Sequence, residues 1–414
     1  MLGFLEKKVL KSTFLQSIYY TVGARVGLII MSLLSAIITA RILAPEDRGY
    51  LFYAMTLGAT ITQFINLGIH SSNARFVAKD PTLFSVLSAN SLWISVIFAS
   101  ILIPIFLFAN SIGIFASNIP FLSVLLGVSI VPFLLYYLLS TNLIVGLEKF
   151  KTLSFLELTN RGIGLLLFTF CLLINAGLSG VLFAWFICAI LASFRLIYII
   201  YKHGGKLKPN WHIFRSHLPY GFRSYIAALL PFLMVRYAVF EIESLPDKNQ
   251  LGYWSVASRI GELLLIIPSS VSMVLFPRLV KTENSFMQTL RVAGIVSLIM
   301  AITCVVIYYF GEFFILTLFG FDYGPAIELL KLYLPTILLL SIISVFSQFL
   351  ASVGMPYLLL IIWGAGLLIT IFINKVCNLG EGVSGTLYSM TVAHIFVFIS
   401  ISILVLYKGN TLKN

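Results

Sequence analysis

Twelve long apolar stretches, separated by short connections, dominate this 414-residue chain. A helix needs about 20 apolar residues to cross a bilayer, and each of these stretches reaches at least about 18. Only 10% of the residues are charged and 60% are hydrophobic, whereas soluble domains carry about 25% charged residues. No soluble core hides so much apolar surface, and continuous rather than alternating runs exclude an outer-membrane barrel. The sequence therefore predicts an all-α polytopic membrane protein and excludes a cytosolic enzyme, a secreted disulfide scaffold and a disordered chain.

The twelve predicted spans alternate between two sides of the membrane that differ in basic residues. They cover residues 13–43, 50–69, 83–109, 119–145, 153–175, 181–201, 218–240, 253–276, 290–310, 328–351, 357–376 and 386–407. Fifteen Lys and Arg residues fall on the side that holds both termini, and four fall on or beside the other side. Because basic loops stay in the cytoplasm, both termini are predicted to be cytoplasmic. The net charge of +12 is accounted for by the basic loops on the cytoplasmic side, so it does not indicate a nucleic-acid partner.

A short motif at the start of the second span recurs 203 residues later. Three pairs of residues match at identical spacing: Gly49 and Gly252, Tyr50 and Tyr253, and Ala54 and Ala257. The match predicts two parallel six-helix bundles, residues 1–201 and 218–414, joined by a cytoplasmic linker at 202–217. Such bundles enclose a central cavity and work by alternating access. The alternative is chance, since Gly-Tyr is common where a span begins.

Four arginines within the spans are candidates for binding an anionic substrate. Arg25 lies about 18 Å into the first span, too deep to reach the headgroups, and requires a cavity or a partner. Arg195, Arg223 and Arg236 lie nearer to span ends, where they either extend to the headgroups or line the cavity. Guanidinium groups match phosphate oxygens in bidentate geometry, so this excess of positive charge favours an anion that carries phosphate.

Two further arginines have a glutamate within one helical turn. Glu157 and Arg161 are spaced i, i+4, and Arg259 and Glu262 are spaced i, i+3, so each pair shares one helix face. The pairs either orient their helices only, or act in ion coupling and gating. In the second case the glutamate takes up a proton or releases its arginine to a substrate.

The residue types needed for catalysis or metal binding do not form a recognisable pattern. The four cysteines show no Cys-x-x-Cys or Cys/His ligand spacing, so neither a disulfide framework nor a zinc site is supported. No nucleophile–base arrangement is present either. The sequence predicts no catalytic residue, no metal and no cofactor.

Three segments together resemble bacterial polysaccharide flippases of the Wzx type, in the MATE-like (MOP) superfamily. They are residues 38–79, 146–163 and 251–278. The first carries the family's R-x-L-G-P-E-x-x-G element, in which the matching residues are Arg41, Leu43, Pro45, Glu46 and Gly49. Ala44 replaces the usual glycine, and Glu148 stands where a glutamine is frequent. The resemblance covers nearly the whole chain in order and span count.

The resemblance implies a MATE-like fold and a transport function. Such proteins move an undecaprenyl-diphosphate-linked oligosaccharide, an O-antigen or related repeat unit, from the cytoplasmic to the periplasmic leaflet of the bacterial inner membrane. It also implies ion coupling, contact with membrane lipids, and a polymerase and a chain-length regulator as candidate partners. Arg25 stands at the position of the first-span arginine of the related lipid II flippases, so the resemblance assigns it to the diphosphate.

Two other functions remain open at this point. A MATE-type drug or cation antiporter predicts unpaired acids in the first bundle, where Glu157 already has Arg161 nearby. A polysaccharide polymerase or ligase typically needs a large outside loop with arginines and a histidine, and here the outside loops are short and acidic.

Overall fold

The computed structural model describes residues 26–204, 208–281, 285–354, 356–377 and 382–411, and this part of the chain is helical without strands. Its helices are α1 Val26–Ile42, α2 Pro45–Ile65, α3 Ile69–Lys79, α4 Phe84–Ser111, α5 Phe121–Ser129, α6 Val131–Gly146, α7 Phe150–Leu173, α8 Gly177–Lys202, α9 Trp211–Glu243, α10 Asn249–Leu264, α11 Ile266–Lys281, α12 Ser285–Leu318, α13 Ala326–Ser352, α14 Tyr357–Phe372 and α15 Gly382–Thr411. Short 3₁₀ turns lie at Pro81–Leu83 and Phe321–Tyr323, and a π-helical turn, Ile373–Cys377, follows α14.

The predicted multi-pass helical fold is confirmed. Nine helical segments in the described ranges are long and apolar enough to cross a membrane. The three other predicted spans correspond to α1, of which only the part from Val26 onward is described, to α2, and to the pair α10 and α11. Helices α10 and α11 have 16 residues each and are separated at Leu265. The count of twelve spans therefore stays a prediction.

Several predicted loops are shorter than expected because helices continue beyond their apolar stretches. Residues 70–82, predicted as a loop, contain α3, whose buried residues include Ile69, Asn73 and Val77. The predicted loop 311–327 is mostly helical as well, since α12 runs to Leu318, a 3₁₀ turn covers Phe321–Tyr323 and α13 begins at Ala326. Hydropathy marks the part of a helix that matches the bilayer and not the polar turns that extend it.

The described chain forms two compact units. The first comprises the described residues up to Leu43 together with Ala54–Tyr225, and the second comprises Ala44–Tyr53 together with Ile226 and the described residues after it. In the first unit α6 packs against α3, α4 and α8, around side chains such as Leu143. In the second unit α13 packs against α10, α11, α12 and α15. The chain passes from the first unit to the second inside α9, between Tyr225 and Ile226. The six-helix bundles with limits at 201 and 218 stay a prediction.

Within the first unit, the α2–α3 boundary is a helix break closed by α9. Leu67 and Gly68 have positive φ values of 47° and 75°. The break frees the Phe64 carbonyl, which accepts a 2.7 Å hydrogen bond from the Tyr225 hydroxyl. A Cβ on Gly68 would lie 2.1 Å from the carbonyl oxygen of Gly221, so only glycine permits this approach. The break is therefore a packed feature of the helix pair.

Within the second unit, the repeat-related glycines Gly49 and Gly252 are in direct contact. A Cβ on Gly49 would lie 2.9 Å from the Gly252 nitrogen, and one on Gly252 would lie 1.8 Å from the Pro45 carbonyl oxygen. Two residues that match at an offset of 203 residues therefore meet at one helix contact. The two-bundle repeat itself stays a prediction.

Candidate anion-binding site

A single carboxylate joins two arginines in the second unit. Glu262 Oε2 lies 2.8 Å from Arg259 Nη1, so the ion pair expected from the i, i+3 spacing is present. Glu262 Oε1 lies 3.1 Å from Arg236 Nη2, which comes from α9. We call Arg236 and Arg259 the arginine clamp. Its two guanidinium groups and one carboxylate have a formal net charge of +1.

The arginine clamp is accessible. The side chains of Arg236, Arg259 and Glu262 retain 23%, 28% and 35% of their exposure. The two carboxylate oxygens of Glu262 receive one guanidinium each, and phosphate oxygens accept charge-assisted hydrogen bonds from the same donor groups. An anion with more than one oxygen can therefore exchange with Glu262 at the same donors.

Aromatic side chains hold the arginine clamp in place. The Arg236 guanidinium lies 5.6 Å from the centre of the Phe232 ring, one turn earlier on α9. Tyr333 of α13, only 2% exposed, lies near both Arg236 and Glu262 and packs edge-on against Trp254 with ring centres 5.0 Å apart. Tyr333 could not be found from the sequence, since an apolar span gives no sign of which helix faces the charges.

Arg195, predicted to bind the diphosphate, is engaged by neutral side chains in the first unit. Its Nη1 donates a 2.7 Å hydrogen bond to Asn160 Oδ1, and its Nη2 donates a 2.7 Å bond to Thr159 Oγ1. Both acceptors lie on α7, so this arginine links α8 to α7. The arrangement satisfies the guanidinium without an acid and joins two helices in an apolar environment.

The other predicted pair in the first unit lies beside Arg195. Glu157 and Arg161 are one turn apart on α7, and Arg161 is exposed. Tyr137 of α6 lies near Glu157, Arg161 and Arg195. Together with Asn160, these side chains form the α7 polar cluster, named here for the helix that supplies most of it.

The two remaining predicted arginines are only partly placed. Arg25 lies outside the described residues. The backbone of Arg223 lies in α9, and its side chain is not described. Their assignment to the diphosphate stays a prediction. Among the described residues, no group of three His, Cys, Asp or Glu side chains comes together as a metal site requires.

A second polar network closes the end of α9 beyond Arg236. Tyr237 donates a 2.9 Å hydrogen bond to Glu241 Oε2, and Lys375 Nζ lies 2.8 Å from Glu241 Oε1. Asn374, on the π-helical turn, donates to the Tyr237 hydroxyl at 3.2 Å. The network ties α9 to the π-helical turn that follows α14, about one turn away from the arginine clamp.

Residues 14–283 match the model of a family described as polysaccharide biosynthesis protein. None of the curated proteins compared with the chain matches it. Among solved structures, the chain resembles an inward-facing multidrug resistance MATE family transporter of the MOP superfamily, with a TM-score of 0.76 and 15% identity over 93% of this chain and 95% of that one. It is equally similar to the lipid II flippase MurJ in an inward closed conformation, with a TM-score of 0.76 and 16% identity over 93% and 86% of the two chains. A third relative is a MOP superfamily transporter from Pyrococcus furiosus, whose binding pocket is described as having reverse polarity. Its TM-score is 0.66 and its identity 16%, over 94% and 96%.

Proposed function

We propose that this chain, which belongs to the polysaccharide biosynthesis protein family, translocates an undecaprenyl-diphosphate-linked oligosaccharide across the bacterial inner membrane. Movement runs from the cytoplasmic to the periplasmic leaflet by alternating access. The observation that carries the proposal is the arginine clamp, Arg236 and Arg259 held by Glu262. A lipid-linked sugar diphosphate supplies the polyvalent anion that such a pair of guanidinium groups recognises.

Glu262 acts as a resident counter-ion when no substrate is bound. Two arginines left together in an apolar protein without an anion would repel each other and lose solvation. Glu262 removes this cost in the empty protein, and the substrate diphosphate replaces it when it binds. The displaced carboxylate is then free to take up a proton, which gives ion coupling a place in the cycle.

The other predicted residues receive separate roles. Arg25 and Arg223 are proposed to add contacts to the diphosphate. Arg195 is proposed to hold α7 and α8 together rather than to bind substrate, because both of its hydrogen-bond acceptors are neutral side chains of α7. Glu157 and Arg161 are proposed as a second coupling or gating pair.

The fold resemblance to a multidrug transporter raises cation exchange as the competing function. An export site for cations needs an accessible carboxylate that is free to bind them. Glu262, in the second unit, already receives two guanidinium groups. The charge balance of this site therefore favours an anion. We further propose that both termini are cytoplasmic, and that a polymerase and a chain-length regulator act downstream.

A deletion strain tests the proposed function. Undecaprenyl-linked lipids are extracted and identified by mass spectrometry, and spheroplasts show whether their glycan can be reached from outside. We expect an accumulated oligosaccharide-diphosphate lipid whose glycan is inaccessible. An accumulated but accessible glycan would indicate a defect in polymerisation or ligation instead. Absence of any accumulation would contradict the glycan substrate and direct attention to cation export.

A further inference from the structure

His394 is a fully buried histidine near the middle of the last predicted span. It lies on α15 with 0% of its surface exposed, about 12 Å from the outer end of the predicted span 386–407. Its Nδ1 lies 2.7 Å from the carbonyl oxygen of Met390, one turn earlier. Because a carbonyl oxygen only accepts, Nδ1 carries the ring hydrogen of the neutral side chain. The free lone pair of the neutral ring is therefore on Nε2.

The Nε2 atom of His394 has no hydrogen-bond partner in the described part of the chain. It is buried there without a donor or an acceptor beside it. The Trp363 ring of α14, 5% exposed, packs edge-on against the imidazole with ring centres 6.4 Å apart. Buried polar atoms without a partner are rare in native proteins, and the cost is larger for a charged group than for a neutral one. This packing therefore accommodates a neutral imidazole and disfavours an imidazolium.

No charged side chain among the described residues is placed to neutralise an imidazolium at this position. Helix α15 packs against α13, α14 and the π-helical turn. The charged or titratable side chains described on these four elements, besides His394 itself, are Glu328, Lys331, Tyr333, Tyr357, Lys375, Tyr388, Tyr407 and Lys408. None of them interacts with His394, whose described polar and ring contacts are those to Met390 and Trp363. A charge on this ring would have to be solvated by water.

A pair of threonines joins α15 to α13 one turn from His394. Thr391 Oγ1 donates a 2.9 Å hydrogen bond to the Leu387 carbonyl oxygen, so its only hydrogen is already used. In the 2.9 Å contact between the Thr336 and Thr391 hydroxyls, Thr336 is therefore the donor. A hydrogen bond between neutral groups is weaker than one that involves a charge. A buried charge one turn away can disrupt such a contact.

The helix face that carries Thr336 also leads to the arginine clamp. Tyr333 lies three residues before Thr336 on α13, so the two share one face of the helix. Tyr333 lies near Arg236 and Glu262 at the same time. The Glu262 side chain retains 35% of its exposure, so water reaches this end of the path. Separation of α13 from α15 at Thr336 would open the remaining distance from the arginine clamp to His394.

We infer that His394 is a proton-binding site, and that the packing of α13 against α15 described above is its deprotonated state. The proton adds to the Nε2 lone pair while Nδ1 keeps its hydrogen bond to Met390, so the ring gains one positive charge. Protonation favours a state in which the helices separate at the Thr336–Thr391 contact, because only there does Nε2 meet water. The inference rests on the proposed transport function, for which it supplies a site for a coupling proton.

A disulfide across the threonine pair tests whether protonation requires the helices to separate. Thr336→Cys and Thr391→Cys are combined, since hydroxyl oxygens 2.9 Å apart place two sulfur atoms within reach of a disulfide. The native cysteines are changed to alanine and the other histidines to glutamine. These residues are Cys171, Cys188, Cys304, Cys377, His70, His203, His212 and His217. The full-length protein, with the ring of His394 labelled with nitrogen-15, is purified without a histidine tag.

Nitrogen-15 NMR of the ring reports its protonation in the oxidised and the reduced protein. In the reduced protein we expect a neutral ring at about pH 8 and a mostly protonated ring at about pH 5. In the oxidised protein we expect a neutral ring at both values, and dithiothreitol should restore protonation. A second disulfide, from Ser272→Cys and Ser344→Cys, joins α11 to α13 at hydroxyls 3.2 Å apart and is the matched control. It should leave protonation of His394 unchanged.

Three results would overturn the inference. A ring that stays neutral at about pH 5 in the reduced protein would leave His394 a packing residue. Equal protonation in the oxidised and reduced forms would show that the α13–α15 contact does not control the proton, and so would an equal loss with the control disulfide. If the cysteine pairs prevent folding, the same titration with both threonines retained decides whether His394 binds a proton.

The titration separates this inference from the proposed function, because it requires no substrate. It reports on His394 even if the deletion strain accumulates no lipid-linked oligosaccharide. That absence would contradict the proposed substrate and leave the proton site standing.

Discussion

The two units each place arginines among polar side chains within predicted membrane spans, but they satisfy them differently. In the first unit Arg195 donates to the neutral oxygens of Asn160 and Thr159. In the second unit Arg236 and Arg259 share the carboxylate of Glu262. A neutral acceptor fixes a guanidinium without changing its charge, whereas a shared carboxylate is itself an anion that another anion can replace.

This difference indicates which cluster is suited to a ligand. Displacing Glu262 exchanges one anion for another and keeps both guanidinium groups paired. Displacing Asn160 and Thr159 would break the link between α7 and α8 that Arg195 provides. In the second unit an anion therefore has to replace only a carboxylate. In the first unit it would have to break hydrogen bonds that hold two helices together. Substitutions that alter one cluster at a time test this distinction.

The largest effect is expected from removing both guanidinium groups of the arginine clamp. In Arg236→Ala combined with Arg259→Ala, we expect surface glycan to fall by about 100-fold or more. Each lost charge-assisted contact is worth about 1.5–3 kcal/mol, and 1.4 kcal/mol corresponds to a factor of ten. Surface polysaccharide is quantified in the complemented deletion strain at matched protein level. Normal glycan in the double variant would remove the arginine clamp from the proposed mechanism.

Glu262→Gln is expected to separate binding from transport. The variant keeps the size of the side chain but removes the resident anion, so a diphosphate no longer competes with a carboxylate. We expect binding of inorganic pyrophosphate to the purified protein to tighten by about tenfold, while surface glycan decreases. Glu262→Asp, which keeps the charge, serves as the matched control. Weaker binding in Glu262→Gln would show that the carboxylate supports the anion rather than competing with it.

Arg195→Ala should affect stability and leave anion binding unchanged. Two hydrogen bonds from a charged donor are lost, so the free energy of unfolding should fall by about 1–3 kcal/mol. Thermal unfolding of the purified protein measures this loss, and Arg195→Gln should recover part of it by restoring neutral donors. If Arg195→Ala instead weakened pyrophosphate binding at unchanged stability, Arg195 would contribute to anion binding and the first unit would not be distinguished from the second in this respect.

The smallest effect is expected from Glu157→Gln, the counterpart of Glu262→Gln in the α7 polar cluster. Arg195 beside it keeps its neutral acceptors, and Arg161 is one exposed guanidinium, so the loss of this carboxylate does not create a site with two arginines like the arginine clamp. Pyrophosphate affinity should remain within about twofold of the unmodified protein. A tenfold change would assign the first unit a share in anion binding.

Much of the fold and part of the site could be predicted from the sequence. Apolar runs located the helices, because the bilayer imposes a minimum length on each span. The Arg259–Glu262 ion pair followed from their spacing on one helix. The position of Arg236 beside them did not follow, since 26 residues and a change of helix separate it from Glu262. One feature of the sequence could have indicated that they lie close together: Arg236 and Glu262 are each within about 15 Å of predicted span ends on the same side of the membrane.

Other features leave no trace in the sequence. The acceptors of Arg195 are a threonine and an asparagine. Because both are uncharged, opposite charges in the sequence do not indicate this contact. The break between α2 and α3 depends on Gly221, which lies about 150 residues later in the chain. Arg48 falls between the predicted spans 13–43 and 50–69, and only the packing of α2 against α10 shows that it is buried. Such features arise where distant helices meet.

The central claim is that the arginine clamp binds the diphosphate of a lipid-linked substrate. Native mass spectrometry of the purified protein with undecaprenyl diphosphate measures this directly, in the unmodified protein, in the Arg236→Ala, Arg259→Ala double variant and in Arg195→Ala. We predict one bound lipid in the unmodified protein and in Arg195→Ala, and at least about a 100-fold weaker affinity in the double variant. Equal binding by all three proteins would contradict the claim.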